Sequence, residues 1–209
     1  MVRHLALELA STIRHDGEGG VADDLESVEG VTRWIRAQAE LLPEGITGIT
    51  GGATPEFRAD DELRGEVVAL RQAVRALFAQ AVSPAPASSA DAHCLIATDQ
   101  ALARLNAAAA AEPVTPQLAW PHDEFPAASL RPAAEREPRV RLSAALARAA
   151  IDFLAGPERE RLRSCAAPRC VRYFVKRHGR QEWCKPSCGN RARVARHYRR
   201  QREAPAESS

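Results

Sequence analysis

The chain has 209 residues, of which 45% are hydrophobic, and a formal net charge of +2. Such a length and hydrophobic share are typical of one medium-sized domain with a small second one. No stretch approaches 18 consecutive apolar residues, which argues against a transmembrane helix. The first residues lack the long apolar run of a secretory leader, so we expect a cytoplasmic protein.

Charge is divided unevenly along this chain. Residues 1–158 carry 14 Lys/Arg and 23 Asp/Glu, a net charge of −9, whereas residues 159–209 carry 15 and 4, a net charge of +11. An acidic body is therefore followed by a separate basic module. The division predicts an anionic partner for the module and a different task for the body.

The first half of the body is predicted to be helical after an ambiguous start. Residues 5–13 fit either a short strand or the first turns of a helix. Apolar residues from Leu25 to Leu42 recur at three- and four-residue steps, which predicts a helix with Asp24 as its N-cap. A glycine-rich run at 45–52 ends it and lacks the residues of a phosphate-binding loop. The next helix, at 60–82, carries an apolar stripe that faces either the core or a second copy of the chain.

The second half of the body alternates helices with proline-rich connections. Residues 83–89 form a connector, and a helix is predicted at 91–111 with Leu95, Leu102 and Leu105 facing inward. Six prolines at 112–139 exclude a regular helix and leave a short extended segment at 117–120. A last helix is predicted at 140–154. The isolated Cys94 is predicted to be a small buried hydrophobe.

Two close pairs of cysteines lie in the basic module, spaced Cys165-x4-Cys170 and Cys184-x3-Cys188. Four thiolates in two pairs can bind one tetrahedral zinc ion, and a site with four protein ligands is structural, with no open position for catalysis. A module this small also needs a metal to fold securely. Disulfides are the alternative, as is a site in which His178 or His197 replaces one cysteine.

The residues around the cysteines predict the order knuckle, hairpin, knuckle, helix. Residues 171–175 favour a strand, 176–180 a turn and 181–184 the returning strand, and a helix begins near Cys188. We expect Phe174, Trp183 and Tyr198 to form the small core of the module. This order is that of a treble-clef or ribbon-like finger.

The segment Cys188-Gly189-Asn190-Arg191 resembles the signature of the CGNR zinc finger, and the cysteine spacing, Phe174 and Trp183 agree with it. Members of that family carry an N-terminal ABATE domain grouped with stress-induced transcriptional regulators. The body is similar to that domain at Leu5-Ala6-Leu7-Glu8-Leu9, in its Trp34 helix and at Leu105-Asn106. The resemblance implies a mainly α protein: an ABATE-like domain at 1–155 that senses a ligand or dimerises, a finger at 156–203 and a disordered tail at 204–209.

The arginines of the module are the candidate contacts to nucleic acid, because so dense a cluster of one sign repels itself unless a polyanion is bound. They are Arg177, Arg180, Arg191, Arg193, Arg196, Arg199 and Arg200. DNA is the preferred partner, and RNA or an acidic protein are the alternatives. No H-E-x-x-H or G-x-S-x-G motif indicates an enzyme. An effector pocket between the helices of the body, lined by Arg33, Trp34 and Arg71, is a further hypothesis.

Overall fold

The computed structural model of the chain describes residues 3–18, 20–43 and 57–203. The glycine-rich run at 45–52 and the predicted tail at 204–209 lie outside the described residues. Within the described part there are six α-helices, so the predicted mainly α class is confirmed. They are α1 Leu5–Ala10, α2 Val28–Ala37, α3 Asp61–Val82, α4 Thr98–Ala110, α5 Pro138–Ala155 and α6 Pro186–Glu203.

Three two-stranded antiparallel sheets accompany these helices in the described part of the chain. Their strands are β1 Ile13–His15 with β2 Val21–Asp23, β3 Val114–Ala119 with β4 Ala127–Pro132, and β5 Leu162–Ser164 with β6 Tyr173–Val175. Three short 3₁₀ helices, Ala39–Leu41, Ser89–Asp91 and Pro157–Arg161, join them. The ambiguous start of the chain is thus a helix, α1, followed by the strand β1.

Helix α3 is the centre of the body. Asp60 caps it by accepting a hydrogen bond from the backbone N–H of Leu63 at 2.8 Å. Its apolar stripe lies in the core, where Val67, Val74 and Phe78 are fully buried against α4 and α5. The rings of Phe78 and Phe153 lie 5.3 Å apart. The core-facing interpretation of this stripe is therefore confirmed, and the same stripe is not available to a second copy.

The lining predicted for an effector pocket between the body helices, Arg33, Trp34 and Arg71, does not match the positions of these residues. Trp34 is packed in the core at 8% exposure, and Arg33 lies on the surface. Arg71 is buried and donates to both carboxylate oxygens of Asp23, with an Nη2–Oδ2 distance of 2.7 Å. Burial of Asp23 raises its pKa, but the hydrogen bonds from Arg71 and from the backbone of Leu25 outweigh this and hold the pKa below its ordinary value. Arg71 is therefore committed to an ion pair.

Two boundaries differ from the sequence prediction for local reasons. Helix α2 begins after Ser27, whose hydroxyl oxygen accepts from the N–H of Gly30 at 3.1 Å, so Ser27 and not Asp24 is the N-cap. Helix α4 begins only at Thr98, because residues 89–91 form a 3₁₀ turn. That turn leaves Cys94 and Leu95 exposed, which contradicts the buried position predicted for Cys94.

The prediction for the buried face of α4 is confirmed at Leu105 and wrong at Leu102. Ala101 and Leu105 face the core, whereas Leu102 remains 47% exposed. Alanines lie on several sides of this helix, and any of them can pack in the core. The spacing of apolar residues therefore does not identify the buried face.

Residues 112–137 form no helix, as predicted, but Pro138 and Arg139 already belong to α5, and the stretch contains more strand than expected. Strands β3 and β4 form a hairpin from Val114 to Pro132, with Val114 opposite Pro132. Its residues are almost all exposed, including the side chains of Leu118, Trp120, Phe125 and Leu130. Across the described residues, no helix combines the length and apolar character needed to cross a membrane.

Candidate metal centre and nucleic-acid surface

The sulfur atoms of Cys165, Cys170, Cys184 and Cys188 converge on one point, all within 4.8 Å of one another. The Sγ atom of Cys184 lies 3.7 Å from that of Cys170 and 3.5 Å from that of Cys188. Four thiolates about 2.3 Å from a tetrahedral zinc ion would lie about 3.8 Å apart. A disulfide would need about 2.05 Å, and all four cysteines are free. The donor set and its spacing fit one structural zinc ion.

The first knuckle is built by the turn between the two cysteines that it presents. The N–H of Cys170 donates to the carbonyl of Ala167 at 2.9 Å, which closes a turn over Pro168 and Arg169. Arg169 has a φ of 61°, and proline followed by a positive φ is the geometry of a type II turn. The N–H of Cys165 donates to the carbonyl of Arg172 at 2.9 Å. Strands β5 and β6 therefore hold the two sulfurs at one end of a hairpin.

The second knuckle presents Cys184 and Cys188, and each residue of its Cys188-Gly189-Asn190-Arg191 segment makes a distinct contact. Cys188 lies in the first turn of α6 and is fully buried. A Cβ atom at Gly189 would lie 2.9 Å from the indole of Trp183, so only glycine lets that ring pack against the helix. Asn190 accepts a hydrogen bond from Arg193. Arg191 turns back and donates from Nη2 to the sulfur of Cys188 at 3.3 Å.

The neighbouring sulfur atoms shift the pKa values of Cys170 and Cys184 in opposite directions. Hydrogen bonds from Cys165 and Cys184 lower the pKa of Cys170, whereas the interactions of Cys184 with Cys165 and Cys170 raise the pKa of Cys184. Cys184 is therefore harder to deprotonate than the adjacent Cys170. A divalent cation removes this difference, because it stabilises all four thiolates at once.

Three details of the finger differ from the prediction. Residues 181–184 are not a strand, and β6 pairs instead with β5, in the register Leu162 to Val175, because the chain preceding Cys165 is the nearer partner. Tyr198 does not join the small core and is 62% exposed, whereas Phe174 and Trp183 do pack against the cysteines. His178 and His197 are exposed and lie outside the sulfur cluster, so the alternative with a histidine ligand is wrong.

The candidate arginines divide into two groups. Arg191 is half-buried, and its contact with Cys188 places it at the metal cluster, where its charge offsets that of the thiolates. The other six lie exposed at the surface of the finger, four of them along α6; they are Arg177, Arg180, Arg193, Arg196, Arg199 and Arg200. Sequence reasoning treated Arg191 as one more surface cation, because spacing alone does not show that its side chain turns back.

Comparison with family models gives two matches along the chain. Residues 3–157 match the ABATE model, described as "putative stress-induced transcription regulator". The chain belongs to the ABATE family. Residues 161–201 match the CGNR zinc finger model. Neither model describes an enzyme family, and no curated protein sequence matches the chain.

The ABATE domain and the finger share a buried polar network that sequence analysis missed. Arg75 of α3 is 2% exposed and donates from Nε to Asp91 at 2.7 Å. Its Nη2 atom donates to Ser88 at 3.0 Å and to the carbonyl of Val171 at 3.3 Å. The hydroxyl of Tyr173, from strand β6, donates to the other oxygen of Asp91 at 2.6 Å. Burial and this hydrogen bond raise the pKa of Tyr173.

Apolar packing strengthens the same junction. Leu162 and Tyr173, which belong to the strands of the finger, lie in the core of the ABATE domain, and the ring of Tyr173 contacts Phe78 edge-on at 5.5 Å. Ser89 donates to the carbonyl of Cys170 at 3.3 Å. The finger is therefore anchored to the body, which corrects the picture of a separate basic module. The available signal was a pair of arginines, Arg71 and Arg75, one turn apart on the buried stripe of α3.

Proposed function

We propose that this protein is a DNA-binding transcriptional regulator whose zinc ion is structural. The observation that carries the proposal is the surface of α6. From Lys185 to Arg202 the chain contains seven Lys/Arg and no Asp/Glu. Beyond its first turns the side chains of α6 are almost all exposed, including Val194 and Tyr198. A helix that packs against nothing along most of its length can enter a groove of a binding partner that contacts it on several sides.

The shape of α6 supports duplex DNA as that surface. Its 18 residues would extend about 27 Å, and the major groove of B-DNA is wide enough for one α-helix. The buried Cys188 and the contact between Gly189 and Trp183 fix the first turn of α6 to the metal cluster. The zinc would thus orient the helix and take no part in chemistry, because all four of its positions are filled by thiolates.

DNA binding should depend steeply on salt. If the six exposed arginines each neutralise one phosphate, log K falls with log salt concentration at a slope of about −5. Arg196→Ala should reduce the steepness of that slope by about one and weaken binding to all sequences alike. Fluorescence anisotropy of a labelled duplex over a salt series measures both quantities.

The matched control is Arg58→Ala, which removes an exposed arginine of the body outside the finger and should leave the slope unchanged. A slope near zero, or the same loss in both variants, would count against the proposal. Tighter binding to single-stranded RNA than to duplex DNA would favour the RNA alternative, since Tyr198 is exposed and could stack on a base. Capture of an acidic protein without retention of nucleic acid would favour the third alternative.

We also propose that the protein is a homodimer that pairs through the hairpin β3–β4. A two-stranded sheet exposed on both faces is marginally stable alone, and this one presents Trp120 and Phe125 to solvent. An apolar hollow of about 320 Å³ lies at its base, lined in part by Leu70, Ala108 and Val140. An apolar arm and an apolar hollow on one chain are self-complementary across a two-fold axis.

Sedimentation velocity tests this pairing. Trp120→Ser with Phe125→Ser should convert a dimer into a monomer, and the control Val194→Ser, which changes an exposed residue of α6, should not. A monomeric parent protein would contradict the pairing. Four thiols kept free for zinc also suit a reducing compartment, which supports a cytoplasmic location at the nucleoid.

A further inference from the structure

A cleft of about 430 Å³ lies between α1 of the ABATE domain and the zinc finger. One wall consists of Arg3, which precedes α1, and of α1 residues such as Leu7, and the other includes Phe174, Val175 and the second knuckle at Cys184. Its volume falls within the range of small-molecule sites. Any ligand in it would touch the body and the metal-binding knuckle together.

The cleft carries an excess of positive charge. Two of its five Lys/Arg residues are paired with its two acids: Arg3 with Glu8 and Arg161 with Glu158, both at 3.2 Å. The remaining three, Arg172, Arg177 and Lys185, have no side-chain hydrogen bond or ion pair to any described residue. Arg172 is half-buried. A partly buried cation without a counterion is stabilised by an anion that supplies one.

The rest of the lining is mixed, with His4, Ser11 and Gln181 beside several apolar side chains. Leu7, Phe174 and Val175 form a hydrophobic wall beside the unpaired cations. A ligand that matches both halves has an apolar body and one anionic group, a carboxylate or a phosphate. We propose that the cleft binds a small amphipathic organic anion, and that this anion is the effector of the regulator. The binding site stands on its own observations, whereas the effector role rests on the proposed DNA-binding function.

A small ligand fits this cleft better than the DNA backbone does. Glu8 and Glu158 lie in the lining, and their charges would repel an adjoining run of phosphates. A DNA backbone offers only the small CH groups of its deoxyribose to Leu7 and Val175. The exposed arginines of α6 lie in a stretch, 185–202, that contains no acidic residue. The two surfaces therefore differ in chemistry, and Arg177 is the one candidate residue common to both.

Four probes separate the features of the expected ligand. Phenyl phosphate and phenylacetate have an apolar ring and an anionic group, inorganic phosphate has no ring, and 2-phenylethanol has no charge. In calorimetric titrations of the full zinc-loaded chain, we expect at least one of the two organic anions to bind ten times more tightly than both controls. Arg172→Gln should weaken that binding about tenfold, because a charge-assisted hydrogen bond is lost.

Two further variants keep the test independent of folding. Arg177→Gln changes an exposed cation of the same cleft and should also weaken binding, whereas Arg58→Gln, on the surface of the body outside the cleft, should not. Each variant should have the same zinc content as the parent protein and, in the absence of any probe compound, the same melting temperature. Absence of binding by both organic anions at millimolar concentration, equal binding of inorganic phosphate, or unchanged binding by Arg172→Gln would overturn the site. Displacement of the anion by duplex DNA that depends on Arg172 would assign the cleft to the DNA backbone and likewise overturn it.

The effector role has a separate readout. DNA affinity, measured with and without the bound organic anion, should change at least threefold in the parent and stay constant in Arg172→Gln. An unchanged affinity in the parent would refute the effector role. Anion binding by a protein that binds no DNA would instead refute the proposed function and leave the site standing.

Discussion

Cys184→Ser is expected to abolish zinc binding and, with it, retention of DNA. The finger has a small core, consisting of the cysteines, Ala167, Phe174 and Trp183, and structural zinc contributes about 10–16 kcal/mol of apparent folding free energy in such modules. Without the metal, α6 should lose its fixed orientation. Zinc analysis of the purified variant, hydrogen exchange and a DNA-binding titration measure the three consequences.

The chain offers a matched control in Cys94→Ser. Cys94 is exposed and lies outside the sulfur cluster, so this variant should keep one zinc ion per chain and full DNA affinity. The ABATE domain should stay folded in Cys184→Ser, because α3, α4 and α5 form their own core. Protection from exchange should be lost in the two knuckles and in α6, and retained in α3. Full DNA affinity in the zinc-free variant would contradict the structural role of the metal.

Asp91→Ala is expected to destabilise the whole protein by about 3–5 kcal/mol, because it leaves the buried charge of Arg75 without its counterion. Both side chains are at most 5% exposed, and Tyr173 loses its acceptor at the same time. The loss should reach both domains, since the network joins α3 to the strand β6 of the finger. Urea unfolding measures the change in free energy, and hydrogen exchange locates it.

Asp24→Ala is the control with the same ion-pair geometry. The Nε–Oδ1 distance is 2.7 Å in both Arg14–Asp24 and Arg75–Asp91, but the first pair is 47% and 39% exposed. An exposed pair contributes about 0–1 kcal/mol, so Asp24→Ala should have little effect. If both variants lost the same free energy of unfolding, the buried Arg75 network would not be what stabilises the junction between the domains.

The metal ligands were predictable from sequence because a tetrahedral zinc site needs only local spacing. Each cysteine pair lies within one knuckle, so the four- and three-residue gaps already define the geometry. The helices α3 and α5 were predictable for a similar reason, since an apolar stripe repeats within one element. Helix α4 was harder, because a run of alanines does not mark which face is buried.

Contacts between distant segments were not predictable in the same way. The pairing of β6 with β5 depends on the path of the chain before Cys165, and the exposure of Tyr198 depends on how far α6 extends from the finger. Arg191 faces the sulfur of Cys188 only because the helix begins at the metal cluster. Each of these features depends on where a second helix or strand lies in the fold, which the local sequence does not specify.

The sequence by itself determined the four zinc ligands, the helical body and the basic character of the finger, because spacing, periodicity and charge are properties of single segments. Only the tertiary structure decided that the finger is anchored to the body. The Arg75–Asp91–Tyr173 network joins residues 16 and 82 positions apart, and the cleft beside it has walls from both ends of the chain. Burial determines which charges must be paired and which remain for a ligand, and burial exists only once the chain has folded.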